Sequence, residues 1–441
     1  MASMGPFLIH NSAGATNIAA NQIAVHFSAD VSAVSNVIEF HMIAFSCLLL
    51  SGGRLADLWG ATRAYRLGLA VFAAASGVAG LAPSIGILVA AQTLAGIGAA
   101  IIIPSSFALL TLECQRNPAG TAFAVAEWTA LGSAAVALSP FMAGVVVDQF
   151  GWRATFFCSA GLSVGAYALV TVFVPCVSGA NRPRIDLRDE LLLVISLAGV
   201  ILGLVQLSSA GWSHPMTILP LLVGVSAGLR AIQRARGFET RFHPATFLKN
   251  RLFMTAVFIG LITGMTYYAA VFGIGLYVQA LKGYTATEAG LVLLPLSLGL
   301  ALSNISSAAL AARFGLRLPT VGGLVCSALG YLVSVESFSI DLGLASLAFV
   351  LFPIGLVGLT ASAVNGAVID AFRSHSTGTA IAIVSMTRQG GGALGVAILG
   401  SSLTQNWDIT SEVLTGTFGV CAALLLIAAL IGRLGVKLQR P

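Results

Sequence analysis

Charge is what this sequence has least of. Its 441 residues include only 22 Lys and Arg and 16 Asp and Glu, 9% in all, against 57% hydrophobic side chains. Soluble domains carry about 25% charged residues, so an ordinary water-facing surface is excluded. The six cysteines (Cys47, Cys114, Cys158, Cys176, Cys326 and Cys421) form no close pairs. They therefore suggest neither metal-ligand spacing nor a disulfide framework. A P-loop is missing, which leaves ATP-driven pumping unsupported. A hydrolytic triad and a metal cluster are missing too, so we expect no enzyme activity, no catalytic residues, no metal and no cofactor. Long apolar runs exclude a disordered or collagen-like polymer despite the 49 glycines.

What is present is a series of apolar stretches, at a mean hydropathy of +0.94. A bilayer-spanning helix needs about 20 residues. Breaks at charged or Gly/Pro-rich positions leave candidate spans at 6–27, 35–53, 64–83, 85–111, 120–146, 152–176, 191–211, 214–230, 252–279, 287–312, 318–335, 342–369, 377–403 and 414–436. This predicts an all-α polytopic membrane protein of fourteen transmembrane helices. The first span is the most polar, interrupted by His10, Asn11, Asn17, Asn21 and Gln22. No basic segment precedes it, so it reads as a membrane span and not a signal peptide.

The formal net charge of +6 reflects basic loops, not nucleic-acid binding. With an inside N-terminus, 19 of the 22 basic residues fall on the cytoplasmic side. Arg153 and Lys282 fall outside, and Arg388 lies within a span. Positive residues favour cytoplasmic loops, so we expect both termini in the cytoplasm.

Two polar, basic loops at 177–190 and 231–251 divide the chain. They leave a six-helix unit at 1–176, a two-helix insertion at 191–230 and a second six-helix unit with a short tail at 252–441. Leu55-Ala56-Asp57-Leu58-Trp59-Gly60 follows the second span of the first unit, and Leu310-Ala311-Ala312-Arg313-Phe314-Gly315 the second span of the last. Repeated bundles holding substrate between them near the midplane are a recurring transporter plan.

Several motifs carry a family resemblance. Gly53-Arg54-Leu55-Ala56-Asp57-Leu58-Trp59-Gly60-Ala61-Thr62-Arg63 joins helices 2 and 3. Gly96-Ile97-Gly98-Ala99-Ala100 precedes Pro104 in helix 4, and Gly151-Trp152-Arg153 with Phe156-Phe157 begins helix 6. Tyr284-Thr285-Ala286-Thr287-Glu288-Ala289-Gly290 with Pro295, and Arg388-Gln389-Gly390-Gly391-Gly392-Ala393-Leu394-Gly395, lie in the second half. In this order, across nearly the whole chain, they resemble the major facilitator superfamily and within it the fourteen-helix drug:proton antiporters. The resemblance implies the major facilitator fold, a bacterial inner membrane, and a monomer exporting hydrophobic small molecules by alternating access. Its partners would be such a substrate, protons as the candidate coupling ion, and membrane lipid, with no nucleic acid.

The chain also departs from that pattern. Ala61 and Thr62 replace usual basic residues, Gln92 replaces an arginine in helix 4, and Ser139-Pro140 and Ala143-Gly144 stand for Gly-Pro and a glycine pair in helix 5. Ser12 occupies the position of an acid in helix 1. An importer or facilitator of another solute, or a transport-dead sensor or assembly protein of the same fold, therefore remains open beside the exporter.

Ionisable groups are costly inside a bilayer, which makes Glu39, His41, Glu127 and Arg388 the proton-coupling candidates. Glu39 and Arg388 are expected to pair in at least one state, with Glu127 as alternative partner. Gln92, Tyr267, Tyr268 and Asn304 are substrate-cavity candidates. The resemblance makes Gly53, Asp57, Gly60 and Arg63 a latch between bundles, with Asp57 suited to accept from a helix N-terminus. Pro140 reads as a kink, and Gly144, Gly391 and Gly392 as close-packing positions. Thr285 and Glu288 have capping-box spacing.

Overall fold

The computed structural model describes residues 1–116, 121–175, 187–235, 250–339, 344–361, 364, 365, 368, 377–402 and 411–435. Within them lie α1 (Met4–Phe27), α2 (Val31–Trp59), α3 (Ala61–Gly80), α4 (Ile85–Arg116), α5 (Thr121–Phe150), α6 (Trp152–Phe173), α7 (Leu187–Ala210) and α8 (Pro215–Ala235). Then follow α9 (Arg251–Leu276), a π turn (Tyr277–Leu281), α10 (Ala286–Phe314), α11 (Arg317–Ser339), α12 (Leu344–Gly355), a 3-10 turn (Leu356–Gly358), α13 (Thr377–Ser402) and α14 (Ser411–Gly435). Each helix overlaps one candidate span.

Ten of the helices are long and apolar enough to cross a membrane, and shorter apolar stretches run over Leu191–Leu207 and Phe349–Ala361. Large apolar side chains stay exposed on the outer surface, among them Val172 and Phe173 on α6 and Leu219 and Leu222 on α8. A soluble monomer rarely leaves so much apolar surface uncovered, whereas a surface of this kind suits a membrane-spanning bundle. The weak hydropathy of α1 has a structural cause, because its polar residues Ser12, Thr16 and Asn17 are turned into the protein and buried.

Local chemistry sets the helix ends. Asp30 Oδ1 accepts from Ala33 N at 2.7 Å, and Asn250 Oδ1 from Phe253 N at 3.1 Å. Thr285 and Glu288 form the anticipated capping box, satisfying amides that the helix itself leaves unpaired. The α2–α3 and α10–α11 corners turn on Gly60 (φ 91°) and Gly315 (φ 77°). These left-handed values strain any residue with a Cβ, so the sequence echo ends on the same backbone device in both halves.

Helix pairing repeats as well. In the first half α2 packs on α4, α1 on α5, and α3 on α4 and α6. The same pattern recurs in the second half, with α10 on α12, α9 on α13, and α11 on α12 and α14. The halves meet through two equivalent seams, α2 with α13 and α5 with α10. Glycines let backbones touch where helices cross. A Cβ on Gly391 or Gly395 would strike the α9 backbone at Leu261 or Met265, and one on Gly392 would strike Met42 and Tyr268. On the α5–α10 seam, Gly144 abuts Ala286 and Thr287, while Gly290 abuts Pro140 and Phe141.

The α7–α8 hairpin lies against one seam only. Gly199 and Gly203 on α7 meet Pro220, Gly224 and Leu221 on α8, and α7 packs on α2 and α13. The two Gly-X-X-X-Gly spacings, Gly199 with Gly203 and Gly224 with Gly228, give this pair a close-packing face.

Candidate functional site

Between the halves lies a pocket lined by residues of α1, α2, α4, α9 and α13. Its floor is a hydrogen-bonded chain. Gln92 Nε2 donates to Thr16 Oγ1 at 3.1 Å, and Thr16 Oγ1 donates to the Ser12 carbonyl at 3.0 Å. His41 Nδ1 lies 3.1 Å from the Gln92 carbonyl. A carbonyl only accepts, so Nδ1 carries the proton of this bond, and in the neutral ring Nε2 is an acceptor. Across the pocket, Tyr268 OH donates to Gln389 Oε1 at 3.3 Å. The aliphatic and aromatic parts of the wall come from Ile9, Ile38, Met42 and Phe45. Two acceptors beside the chain, Asn17 Oδ1 and Gln92 Oε1, are buried without a partner.

The sequence candidates separate into groups. His41, Gln92 and Tyr268 come together in this pocket. Tyr267 packs edge-on against Tyr268, with ring centroids 5.4 Å apart. Asn304 sits away from them, its Oδ1 beside Gly358 in the 3-10 turn after α12. Glu39 is 2% exposed; Ser35, its neighbour one turn earlier on α2, donates to the Ser32 carbonyl at 2.9 Å, and Glu39 Oε1 has no partner. Glu127 is exposed, with Ser3 Oγ 3.5 Å from Oε1. Arg388 is exposed although it lies in the middle of α13, and its charge reaches His10 and Tyr268. Glu39 and Arg388 are not paired in this conformation.

At the α2–α3 corner, Asp57 and Arg63 are exposed, and the charge acting on Asp57 is that of Arg54 on its own helix. Arg66 donates to the Val170, Thr171 and Val174 carbonyls at the end of α6, and Thr62 Oγ1 to the Pro175 carbonyl. These bonds stay within the first half. A bond between halves of the kind anticipated for Asp57 is made elsewhere by Asp148, at the end of α5. Its Oδ1 accepts from Ala286 N at 3.0 Å and its Oδ2 from Thr287 N at 2.8 Å, so it caps the first turn of α10 across the seam. Gln279 Nε2 adds a bond to the Ile18 carbonyl at 3.2 Å, and Ser35 lies against Gly400. Because successive helices alternate in direction, these contacts share one face of the molecule, opposite the α2–α3 corner.

The sequence reading did not single out Asp148, Gln389, Thr16 or His10 as functional. For α1 a signal existed, because Ser12 and Thr16, four apart, and His10 and Asn17, seven apart, share helix sides. For Asp148 none did, since its partners are backbone amides 138 and 139 residues away.

Comparison with known proteins agrees with this architecture. The family model of the Major Facilitator Superfamily matches residues 2–396. A methylenomycin A resistance protein of Bacillus subtilis (strain 168) is 32% identical over 387 residues, covering 87% of this chain and 82% of that protein. The multidrug resistance protein Stp of Mycobacterium tuberculosis (strain CDC 1551 / Oshkosh) is 28% identical over 93% of this chain and 76% of its own length. Among solved structures, a POT family transporter in complex with 5-aminolevulinic acid superposes with a TM-score of 0.72 at 13% identity, covering 97% of this chain and 94% of that one. A point mutant of the nucleoside transporter NupG gives 0.67 at 13% identity over 99% and 100%; these two show likeness of fold alone. With repeated six-helix halves, a pocket between them and a family match over most of its length, this chain belongs to the major facilitator superfamily and is a multi-pass membrane transporter, not an enzyme.

Proposed function

We propose that the protein is a secondary exporter of small, largely apolar molecules of the antibiotic or natural-product kind, working by alternating access. The observation that carries this is the pocket walled by both halves, with the Asp148 and Gln279 bonds between halves lying toward one face and Ser46 Oγ donating to the Met386 carbonyl at 2.7 Å deeper in the α2–α13 seam. Rocking the halves about the seams would break the Asp148 cap and expose the same pocket to the other side. The relatives named for resistance favour outward transport over uptake. The bacterial relatives support a bacterial inner membrane, and the basic bias of the loops supports cytoplasmic termini. In that orientation the Asp148 and Gln279 bonds lie toward the outside.

We assign the coupling ion as the proton and Glu39 as its first candidate carrier, because a buried carboxyl with an unpartnered oxygen is not stabilised by a fixed ion pair. The exporter is taken to act as a monomer. Cells expressing the protein, loaded with a panel of labelled antibiotics, should show efflux that a protonophore abolishes. Equilibration indifferent to the gradient would overturn the export reading in favour of a facilitator, and no flux of any compound would favour a protein that has lost transport.

A further inference from the structure

We infer that the pocket selects small monoanions, molecules with a carboxylate or a comparably acidic group on an apolar body, and that Arg388 takes their charge. The inference rests on the export reading above and narrows its substrate class.

Arg388 carries the argument. Among the described residues no other Lys or Arg lies as far from a helix end, yet its side chain is exposed, and it stands next to Gln389, which lines the pocket. The groups that feel its charge are His10 and Tyr268, and neither is a carboxylate. Among the described residues no acid forms an ion pair with it. A guanidinium in the middle of a span is expensive unless something anionic or strongly accepting comes to it. Its five donors suit a planar carboxylate held by two parallel bonds.

The surroundings agree. Gln389, next in sequence, lines the pocket and accepts from Tyr268 OH through its amide oxygen, which leaves its NH2 group as a donor. No carboxylate lines the described pocket. Glu39, two residues before His41, is buried against Ser35 instead of facing the pocket. A lipophilic cation would thus meet a positive charge with no acid to offset it. The opposite wall offers Ile9, Ile38 and Phe45 for an apolar body, together with His41, whose Nε2 is an acceptor when the ring is neutral. Donors at one end, an acceptor at the other and apolar side chains between describe an amphiphilic acid.

The test compares probes of one skeleton. The purified full chain in lipid nanodiscs is titrated with 4-phenylbutyrate, 4-phenylbutan-1-ol and 4-phenylbutylamine. The acid should bind about tenfold more tightly than the alcohol, and the amine most weakly. Arg388→Gln should remove the advantage of the acid, and Arg388→Lys should restore part of it, which separates loss of charge from loss of fold. Equal affinities, preference for the amine, no binding of the acid, or an acid preference untouched by Arg388→Gln would overturn the inference. Transport of antibiotics by the same preparations in proteoliposomes is read separately. Efflux of cationic drugs without acid binding would leave export standing and remove this site. Acid binding that depends on Arg388, with no compound exported, would leave the site and remove the export reading.

Discussion

Glu39 combines near-complete burial with an oxygen that lacks a partner. A buried carboxyl in that position is either a structural liability or a group that changes state during the transport cycle. If it carries the coupled proton, Glu39→Gln should keep membrane abundance near normal while making residual transport insensitive to a protonophore. Unchanged gradient-driven efflux in the variant would remove Glu39 from the coupling path. Tyr268 acts differently, since its hydroxyl orients Gln389 at the pocket wall. Tyr268→Phe loses one hydrogen bond of about 1 kcal/mol. It should raise KM roughly threefold to tenfold with little change in maximal rate, as measured by concentration-dependent efflux; an unaltered KM would show that Gln389 does not need this bond.

At the level of elements, the seam between α5 and α10 is fastened by a side chain that caps a helix belonging to the other half. An N-terminal cap contributes about 1 kcal/mol, enough to shift a conformational equilibrium about fivefold. Asp148→Ala should therefore favour the state open on that face. A cysteine placed at Thr287 should then label faster with a membrane-impermeant maleimide than it does with Asp148 intact, and equal rates would show that the cap does not hold the seam. The α7–α8 hairpin depends on a different device, backbone contact at glycine. Gly199→Leu would drive a side chain into Pro220 and Gly224. It should lower the thermal midpoint in detergent by several degrees, as overpacking of about 1–3 kcal/mol does, while Gly322→Leu, where a Cβ would meet open space, should leave it close to that of the parent protein.

For the whole molecule, the expected arrangement places the α7–α8 turn and the end of α10 on opposite sides of the membrane. Ser213→Cys should react with an impermeant maleimide from outside the cell and Arg313→Cys only after permeabilisation; reaction of both from outside would overturn the orientation. The helices were legible in the sequence because membrane insertion depends on sums along the chain, of apolar length and of basic loop charge. The LADLWG and LAARFG echo likewise showed the repeat, whose corners Gly60 and Gly315 share a left-handed backbone. What those sums omit is the rotation of each helix about its own axis. Glu39 and His41 stand two residues apart, so a helix points them about 200° apart; only packing decided that His41 meets the Gln92 carbonyl while Glu39 turns toward Ser35. The same holds for Asp148 and Arg388, whose surroundings come from helices more than 100 residues distant. The sequence determined which segments enter the membrane and that they come in two similar sets. The tertiary structure alone decided which polar groups face one another, because that depends on side-chain and backbone fit between helices remote in the chain.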